Sequence, residues 1–267
     1  MNGSSELPPP SGRGERFGLA LLVAVQVAVL SLALTAAYTE PAAYGRSCVN
    51  ATIARNFYQQ GMRFLYPQLD YGPLPGYAAL EFPLIPYLAA AVYWLTGVQE
   101  WVGRGLAAVF GVGTALAVWG IARELALKPA ARLVAVGLVV ISPTFMFFSR
   151  VFQSDSAMVC ACTATAWLLL RARRERGGGP FAAACVACAV GMLLKPSSLV
   201  LLPALMSIPL VDRRRGIRRA LVVACAAVIP VAVFYLFART INSYPETVGI
   251  DAVVRRASLA RMLQFTY

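Results

Sequence analysis

The sequence predicts an all-α polytopic membrane protein with about seven transmembrane helices. Of its 267 residues, 59% are hydrophobic and only 13% are charged, which is too apolar for an ordinary soluble domain. Hydrophobic runs alternate with short polar breaks, and most runs approach the roughly 20 residues that cross a bilayer. These runs are residues 17–38, 102–122, 133–149, 156–170, 181–194, 197–211 and 220–238.

Arginines in the breaks predict which loops face the cytoplasm, because cytoplasmic loops carry an excess of lysine and arginine. The net charge of +12 is concentrated in these breaks, so it reflects membrane topology, and we expect no nucleic-acid partner. With the N-terminus inside, the basic groups that fall on the cytoplasmic side are Arg13 and Arg16; Arg123, Lys128 and Arg132; Arg171, Arg173, Arg174 and Arg176; and Arg213, Arg214, Arg215, Arg218 and Arg219.

This orientation requires that residues 82–97 do not cross the membrane. A helix over these residues reaches only about 24 Å at 1.5 Å per residue, and Pro83 and Pro86 weaken its first turns. If the segment crossed, the arginines at 171–176 would fall outside, against the positive-inside rule. We therefore predict a juxtamembrane helix over residues 82–97, preceded in the same outer loop by a short helix over residues 53–61.

The predicted domain organisation follows from this topology. A cytoplasmic tail covers residues 1–16, a transmembrane domain covers residues 17–238 with a large outer loop at 39–101, and an outer tail covers residues 239–267. We expect a multi-pass protein of the bacterial inner membrane with a cytoplasmic N-terminus. The spans carry almost no charge at mid-membrane and show no duplicated half, which argues against a transporter.

The residue types present do not predict a metal site. The sequence has no histidine, the commonest metal ligand and general base. Five of its six cysteines lie inside apolar runs, where free cysteine behaves as a small hydrophobe. Cys185 and Cys188 form a C-x-x-C among alanines, which favours helix packing by small residues over redox or metal chemistry.

Two carboxylates at the ends of apolar segments are the predicted catalytic residues, Glu81 and Asp155. An acid beside a membrane span is costly unless it has a partner or a function. A carboxylate can take a proton from a hydroxyl while cations stabilise a departing phosphate. Helix capping and favourable interaction with a helix dipole are the competing explanation for both acids. The cations predicted to bind substrate phosphate are Arg46, Arg104, Arg150 and Lys195.

Short motifs follow one another along the sequence in the order I-A-R-N-F-Y-Q-Q-G, E-F-P-L, L-T-G-V-Q-E-W-V-G-R-G-L, I-S-P-T-F-M-F-F-S-R-V-F-Q-S-D and G-M-L-L-K-P. Their order along residues 17–200 resembles the N-terminal half of the membrane glycosyltransferases that use polyprenyl-phosphate-linked sugars. This family, of GT-C fold, contains the protein O-mannosyltransferases and the aminoarabinose transferases.

The resemblance implies an enzyme that transfers a sugar, with inversion, from an isoprenoid phosphate to an outer-facing hydroxyl of a lipid, protein or glycan. It implies that Glu81 lies in the substrate cavity and that Asp155 helps to hold donor phosphate, acceptor or an ion. Lys195 matches the family's L-x-K lysine, and Arg104 matches the arginine that opens the second span. The implied partners are the lipid-linked sugar, its acceptor and the bilayer; a divalent cation is left open as a cofactor.

The sequence departs from the family pattern in the first outer loop. The family carries an acidic residue, often Asp-Glu, where Arg46 and Ser47 stand here, and its lysine after the first-loop glutamate is replaced by Phe82. Family members generally continue through further spans after the position of Tyr267. An alternative function is therefore that of an impaired or truncated member that binds the lipid-linked sugar without transferring it.

Overall fold

The computed structural model describes residues 12–32, 34–38, 44–70, 75–175, 178–212 and 216–243. Within these residues the chain is helical and has no strand beyond one isolated bridge between Gln68 and Tyr77. The helices are α1 (Arg13–Ser31), α2 (Tyr44–Gln60), α3 (Leu84–Thr96), α4 (Glu100–Glu124), α5 (Pro129–Val140), α6 (Pro143–Phe148), α7 (Asp155–Glu175), α8 (Gly178–Leu194), a 3-10 helix (Pro196–Leu201), α9 (Leu202–Leu210) and α10 (Gly216–Ile241).

The fold is the all-α polytopic membrane architecture that the sequence predicts. Among the described residues, three helices are long and apolar enough to cross a membrane, namely α1, α4 and α10. The shorter apolar helical segments are Leu84–Thr96, Pro129–Val140, Gly178–Leu194 and Pro196–Leu210. Most of the predicted cytoplasmic tail, the outer tail from residue 244, Arg176 and the arginines at 213–215 lie outside the described residues.

Two of the predicted hydrophobic runs are divided in the structure. The run at 133–149 is split into α5 and α6, and Pro143 occupies the first turn of α6, where its missing N–H is tolerated. The run at 197–211 begins as a 3-10 helix at Pro196 before α9. Both runs therefore contain two short helices where a continuous span was predicted.

Helix α7 lies at the centre of the fold, between α4 and α8. Glycines allow the close approach of these helices: a Cβ on Gly120 would lie 2.6 Å from the Trp167 ring, and one on Gly191 would lie 2.9 Å from the Cys162 sulfur. Small residues at helix interfaces are typical of membrane proteins. Cys162 and Cys188 are buried in the cluster that α7, α8 and α10 share.

The basic ends of several helices meet at one end of the bundle. Arg132 Nη1 at the start of α5 lies 3.2 Å from Glu15 Oε1 near the start of α1, and both side chains are almost fully buried. Arg174 near the end of α7 pairs with Glu124 at the end of α4, at 2.8 Å. Asp155 begins α7, so it lies at the opposite end, about 30 Å away along the helix axis.

Helices α2 and α3 lie in the predicted first outer loop. Helix α2 extends over Tyr44–Gln60 and is much longer than the predicted helix at 53–61, but it ends where predicted, before Gly61 with a left-handed φ of 103°. Helix α3 covers most of the predicted 82–97 segment, and its 13 residues span only about 20 Å. It packs between α2 and α4.

Candidate active site

The site centres on an ion pair between Lys195 and Asp155. The Lys195 ammonium donates to both carboxylate oxygens of Asp155, at 2.6 and 2.7 Å. Asp155 is the first residue of α7, and Lys195 follows the last residue of α8, so the packing of these two helices brings them together. The two side chains are 19% and 14% exposed, which places them in a partly desolvated recess.

Glu81 lies beside this ion pair. The Ser154 hydroxyl, Lys195 and Asp155 are all close enough to shift the pKa of its carboxyl. Glu81 forms an ion pair with Arg46, whose Nη1 lies 3.6 Å from Glu81 Oε1. Since the Arg46 side chain is 65% exposed, this contact is weak and the guanidinium is free to move toward a ligand.

The surroundings of Glu81 shift its protonation equilibrium. Loss of hydration on burial raises the pKa of the Glu81 carboxyl above its ordinary value, more strongly than Lys195, the Ser154 hydroxyl and Arg46 lower it; Asp155 raises it further. A carboxylate with a raised pKa is a stronger base than one in water, which suits abstraction of a proton from a hydroxyl.

The loop that precedes α7 is held in place from two sides. Phe152 is fully buried against Gly103 of α4, where a Cβ would lie 2.3 Å from the phenyl ring. Asn50 of α2 donates a hydrogen bond of 2.9 Å to the Phe152 carbonyl, and Ser156 Oγ donates one of 2.6 Å to the Ala107 carbonyl. These contacts fix Ser154 and Asp155 relative to α2, which carries Arg46.

Helix capping does not explain Ser154 and Asp155 in the described part of the chain. The Ser154 hydroxyl lies near Glu81, and the Asp155 carboxylate accepts from Lys195. Among the described residues, neither side chain accepts a hydrogen bond from a first-turn amide of α7. These contacts therefore argue against the explanation that the two residues serve as helix caps. Asp155 nevertheless lies at the positive end of the helix dipole.

Sequence reasoning did not find Tyr235 of α10, which lies within electrostatic range of Glu81. Its hydroxyl is buried and has no hydrogen-bond partner among the described residues. The neighbouring Phe234 packs against Phe82, with ring centroids 5.0 Å apart, which brings α10 against the segment that precedes α3. A tyrosine inside a long apolar run gives no sequence signal, because its role depends on which helix faces it.

Arg104 does not join this cluster. It is 2% exposed, and its guanidinium donates to the carbonyls of Ala36, Ala37 and Arg150, at 3.2, 2.7 and 3.4 Å. It also lies over the Tyr38 ring, 5.1 Å from the centroid. These contacts tie the segment after α1 to the loop after α6, which indicates a structural role for a residue predicted to bind phosphate.

Arg150 also lies apart from the cluster, at an apolar groove of about 600 Å³ between the end of α1 and α6. Its guanidinium lies 6.0 Å from the Phe147 ring centroid. The rest of the lining is almost entirely apolar, formed by Val29, Leu30, Pro143, Thr144, Met146, Phe147 and Phe148. The structure thus brings together Glu81, Asp155, Lys195 and Arg46 of the six predicted residues.

The charged groups in the cluster are two carboxylates and two cations. Within the described ranges, no group of three or more histidine, cysteine, aspartate or glutamate side chains could hold a metal ion. Lys195 occupies both oxygens of Asp155, so a divalent cation would have to displace it. Two cations near Glu81 are groups of the kind that bind phosphate oxygens.

Comparison with known proteins gives one family match. The sequence model of the dolichyl-phosphate-mannose-protein mannosyltransferase family matches residues 79–238. The match includes Glu81, Asp155 and Lys195. No curated protein and no solved structure matches the chain.

Proposed function

The chain belongs to the dolichyl-phosphate-mannose-protein mannosyltransferase family, and on that premise we propose that it transfers a sugar, with inversion, to an acceptor hydroxyl at the cluster around Glu81. Membership in this family implies a membrane glycosyltransferase whose donor is a polyprenyl-phosphate-linked sugar. The observation that carries the proposal is the meeting of Glu81, Ser154, Asp155, Lys195 and Arg46 from separate segments of the chain.

Glu81 is the general base in this proposal. Its raised pKa favours it over Asp155, and Lys195 already occupies both oxygens of Asp155. The acceptor oxygen bonds to the anomeric carbon of the sugar while its proton moves to the Glu81 carboxylate. The bond from that carbon to the phosphate oxygen breaks, and the polyprenyl phosphate leaves with the bonding electrons.

Cations beside Glu81 stabilise the charge that develops on the leaving phosphate. Lys195 is held by Asp155 at the edge of the recess, and Arg46 is exposed and only weakly paired. Charge-assisted hydrogen bonds from such groups to phosphate oxygens are among the stronger polar contacts in proteins. The attacking oxygen approaches from the side opposite the phosphate, so the anomeric configuration inverts.

The groove at Arg150 is proposed to hold the isoprenoid chain of the same donor. Apolar residues of α1 and α6 line this groove and Arg150 adds one guanidinium. Such a lining is complementary to an isoprenoid chain that ends in a phosphate. The proposal that Arg104 binds phosphate is weaker, because backbone carbonyls accept from its guanidinium. We therefore propose that Arg104 positions the segments that it contacts and does not bind the phosphate itself.

The orientation proposed from the arginines places the cluster on the outer side of the bacterial inner membrane. Support comes from the separation of charges along α7: Asp155 begins this helix, and Arg174 near its end pairs with Glu124 at the end of α4. The basic end corresponds to the cytoplasmic side of the positive-inside rule. The acceptor is then a hydroxyl of an outer-facing lipid, protein or glycan.

Transfer by the purified full chain in proteoliposomes tests the proposal. Vesicles containing polyprenyl-phosphate sugar and a hydroxyl acceptor are expected to yield product of inverted anomeric configuration, measured by NMR. The double variant Glu81→Gln/Asp155→Asn should yield none, and Asp70→Asn should be unaffected. Asp70 is a matched control, because it is an outer-loop carboxylate paired with Arg55 and 46% exposed. A product of retained configuration, or full activity in the double variant, would contradict the proposal.

A second candidate function is binding of the lipid-linked sugar without transfer. It is favoured by the first outer loop, where Ser47 stands at the family's acidic position and has a buried hydroxyl without a hydrogen-bond partner among the described residues. This function predicts saturable binding of polyprenyl phosphate with no product. Steady product release over many turnovers excludes it.

A further inference from the structure

An apolar groove between α1 and α4 ends in two arginines. Its volume is about 550 Å³, and its lining is Arg16, Leu19, Ala20 and Val23 from α1 with Leu116, Trp119 and Arg123 from α4. The α1 residues follow the i, i+3, i+4, i+7 spacing of one helix face, and those of α4 follow i, i+3, i+7. Each face therefore presents an apolar strip with an arginine at the same end.

The two arginines keep their positive charge unpaired by protein carboxylates in the described part of the chain. Glu15, next to Arg16 in sequence, is buried and pairs with Arg132. Glu124, next to Arg123, pairs with Arg174. The acids nearest in sequence are thus already neutralised, and the groove mouth carries the charge of both guanidinium groups.

Trp119 holds one of these arginines in position. Its indole Nε1 donates to Glu15 Oε1 at 2.9 Å, which fixes the ring. The Arg123 guanidinium lies over this ring, 4.8 Å from the centroid, and its Nε is buried without a hydrogen-bond partner among the described residues. A buried donor without a partner is unfavourable unless a ligand supplies an acceptor.

We propose that this groove binds an anionic phospholipid, with the phosphate between Arg16 and Arg123 and the upper part of an acyl chain along Leu19, Val23 and Leu116. Arg16 and Val23 are about 10 Å apart along the helix axis, which is a large part of one leaflet of a bilayer about 30 Å thick. Basic pockets between transmembrane helices are typical sites for anionic lipid headgroups.

This site is separate from the Glu81 cluster, since it lies at the end of the bundle where Arg132 pairs with Glu15 and Arg174 with Glu124. It does not depend on the proposed transfer reaction. Its occupant is a lipid and not a free phosphate, because most of the groove is apolar and an inorganic ion would leave it empty.

Native mass spectrometry of the detergent-purified full chain tests this site with phosphatidylglycerol and phosphatidylcholine of the same acyl chains. The wild type is expected to bind phosphatidylglycerol preferentially. Arg16→Gln/Arg123→Gln should weaken phosphatidylglycerol binding by about fivefold per arginine removed. Arg13→Gln/Arg173→Gln is the matched control, since it removes the same charge from residues outside the groove, and it should retain wild-type affinity.

Two further experiments distinguish the contribution of the groove from that of the arginine charges, and lipid binding from binding of free phosphate. Ala20→Phe fills the groove without removing charge and should weaken phosphatidylglycerol binding to a similar extent, with the thermal unfolding temperature unchanged. Glycerol 3-phosphate at millimolar concentration should not displace the lipid. Equal loss in the control double variant, no preference in the wild type, or displacement by glycerol 3-phosphate would each overturn the proposal.

Discussion

Lys195, which follows the end of α8, donates hydrogen bonds to both carboxylate oxygens of Asp155 at the start of α7, at 2.6 and 2.7 Å. The pair is separated by 40 positions in sequence. Because both side chains are largely shielded from water, their attraction is less screened than that of a surface pair. The contact has a structural consequence and a chemical one: it joins two helices, and it holds an ammonium group beside Glu81.

The Lys195–Asp155 pair is expected to show energetic coupling in a double-mutant cycle. Lys195→Gln and Asp155→Asn should each destabilise the fold, because each leaves one partly buried charge unpaired, and the double variant should lose less than the sum. We expect a coupling free energy on the order of 1–3 kcal/mol, measured by reversible unfolding in mixed micelles. The exposed Arg171–Glu175 pair is the control, with coupling of about 0.5 kcal/mol or less. Coupling of that size for Lys195 and Asp155 would contradict the buried-pair account.

Arg104 is predicted to act through structure and not through the donor phosphate. Arg104→Lys keeps the charge but loses the planar group that reaches the Ala36, Ala37 and Arg150 carbonyls. The thermal unfolding temperature should therefore fall, while KM for the lipid-linked donor stays within about twofold once the remaining folded fraction is counted. A large rise in KM at unchanged thermal stability would instead restore Arg104 to the phosphate-binding set.

Gly103 is predicted to control the position of the loop that carries Ser154 and Asp155. In Gly103→Ala the new Cβ would lie 2.3 Å from the Phe152 ring, so the ring and its loop must shift. We expect a loss of about 1–3 kcal/mol in stability and a larger fractional loss of transfer. Gly137→Ala is the matched control, because nothing lies within 4 Å of its Cβ, and it should be neutral or slightly stabilising. Equal stability of the two variants, measured by thermal unfolding, would refute this role.

The raised pKa of Glu81 predicts opposite effects of pH on activity and stability. Transfer needs the carboxylate, so the rate should rise with pH through a midpoint above the ordinary glutamate value of 4.5. The charged form is disfavoured by the fold, so its cost to stability is full above the folded pKa and disappears below the unfolded pKa. Glu81→Gln should therefore unfold at a higher temperature than the wild type at pH 7, with a difference that shrinks toward pH 4. A difference that grows on acidification has the wrong sign for this account.

Much of the fold follows from hydrophobic runs, prolines and arginine placement. The runs at 102–122, 156–170 and 220–238 lie within α4, α7 and α10, and the short apolar segment at 82–97 forms α3. The break at Pro143 was not predicted, since hydrophobicity is continuous across it while proline begins a helix locally. The break at residues 195–196 was predicted between the runs at 181–194 and 197–211, but the change from a 3-10 helix to α9 within the second run was not. The length of α2 was also underestimated, because its mixed composition gives no clear apolar face.

The candidate site is less predictable from sequence than the fold. Glu81, Asp155 and Lys195 stood out because charges at the ends of apolar spans are rare, and the structure brings these three together. Arg104 and Arg150 satisfied the same criterion, yet helix packing directs Arg104 to backbone carbonyls and Arg150 to an apolar groove. Tyr235 and Gly103 gave no signal, because their contacts with the site exist only once α10 and α4 are packed against it.

The most direct measurement is the transfer rate of Glu81→Gln in proteoliposomes saturated with polyprenyl-phosphate sugar, with donor binding measured on the same sample. Loss of a general base lowers the rate by about 10²–10⁴-fold, while Lys195 and Arg46 remain to bind the phosphate. The account predicts such a loss with donor affinity nearly unchanged. A rate equal to that of the wild type, at equal donor occupancy, would contradict the assignment of Glu81 as the base.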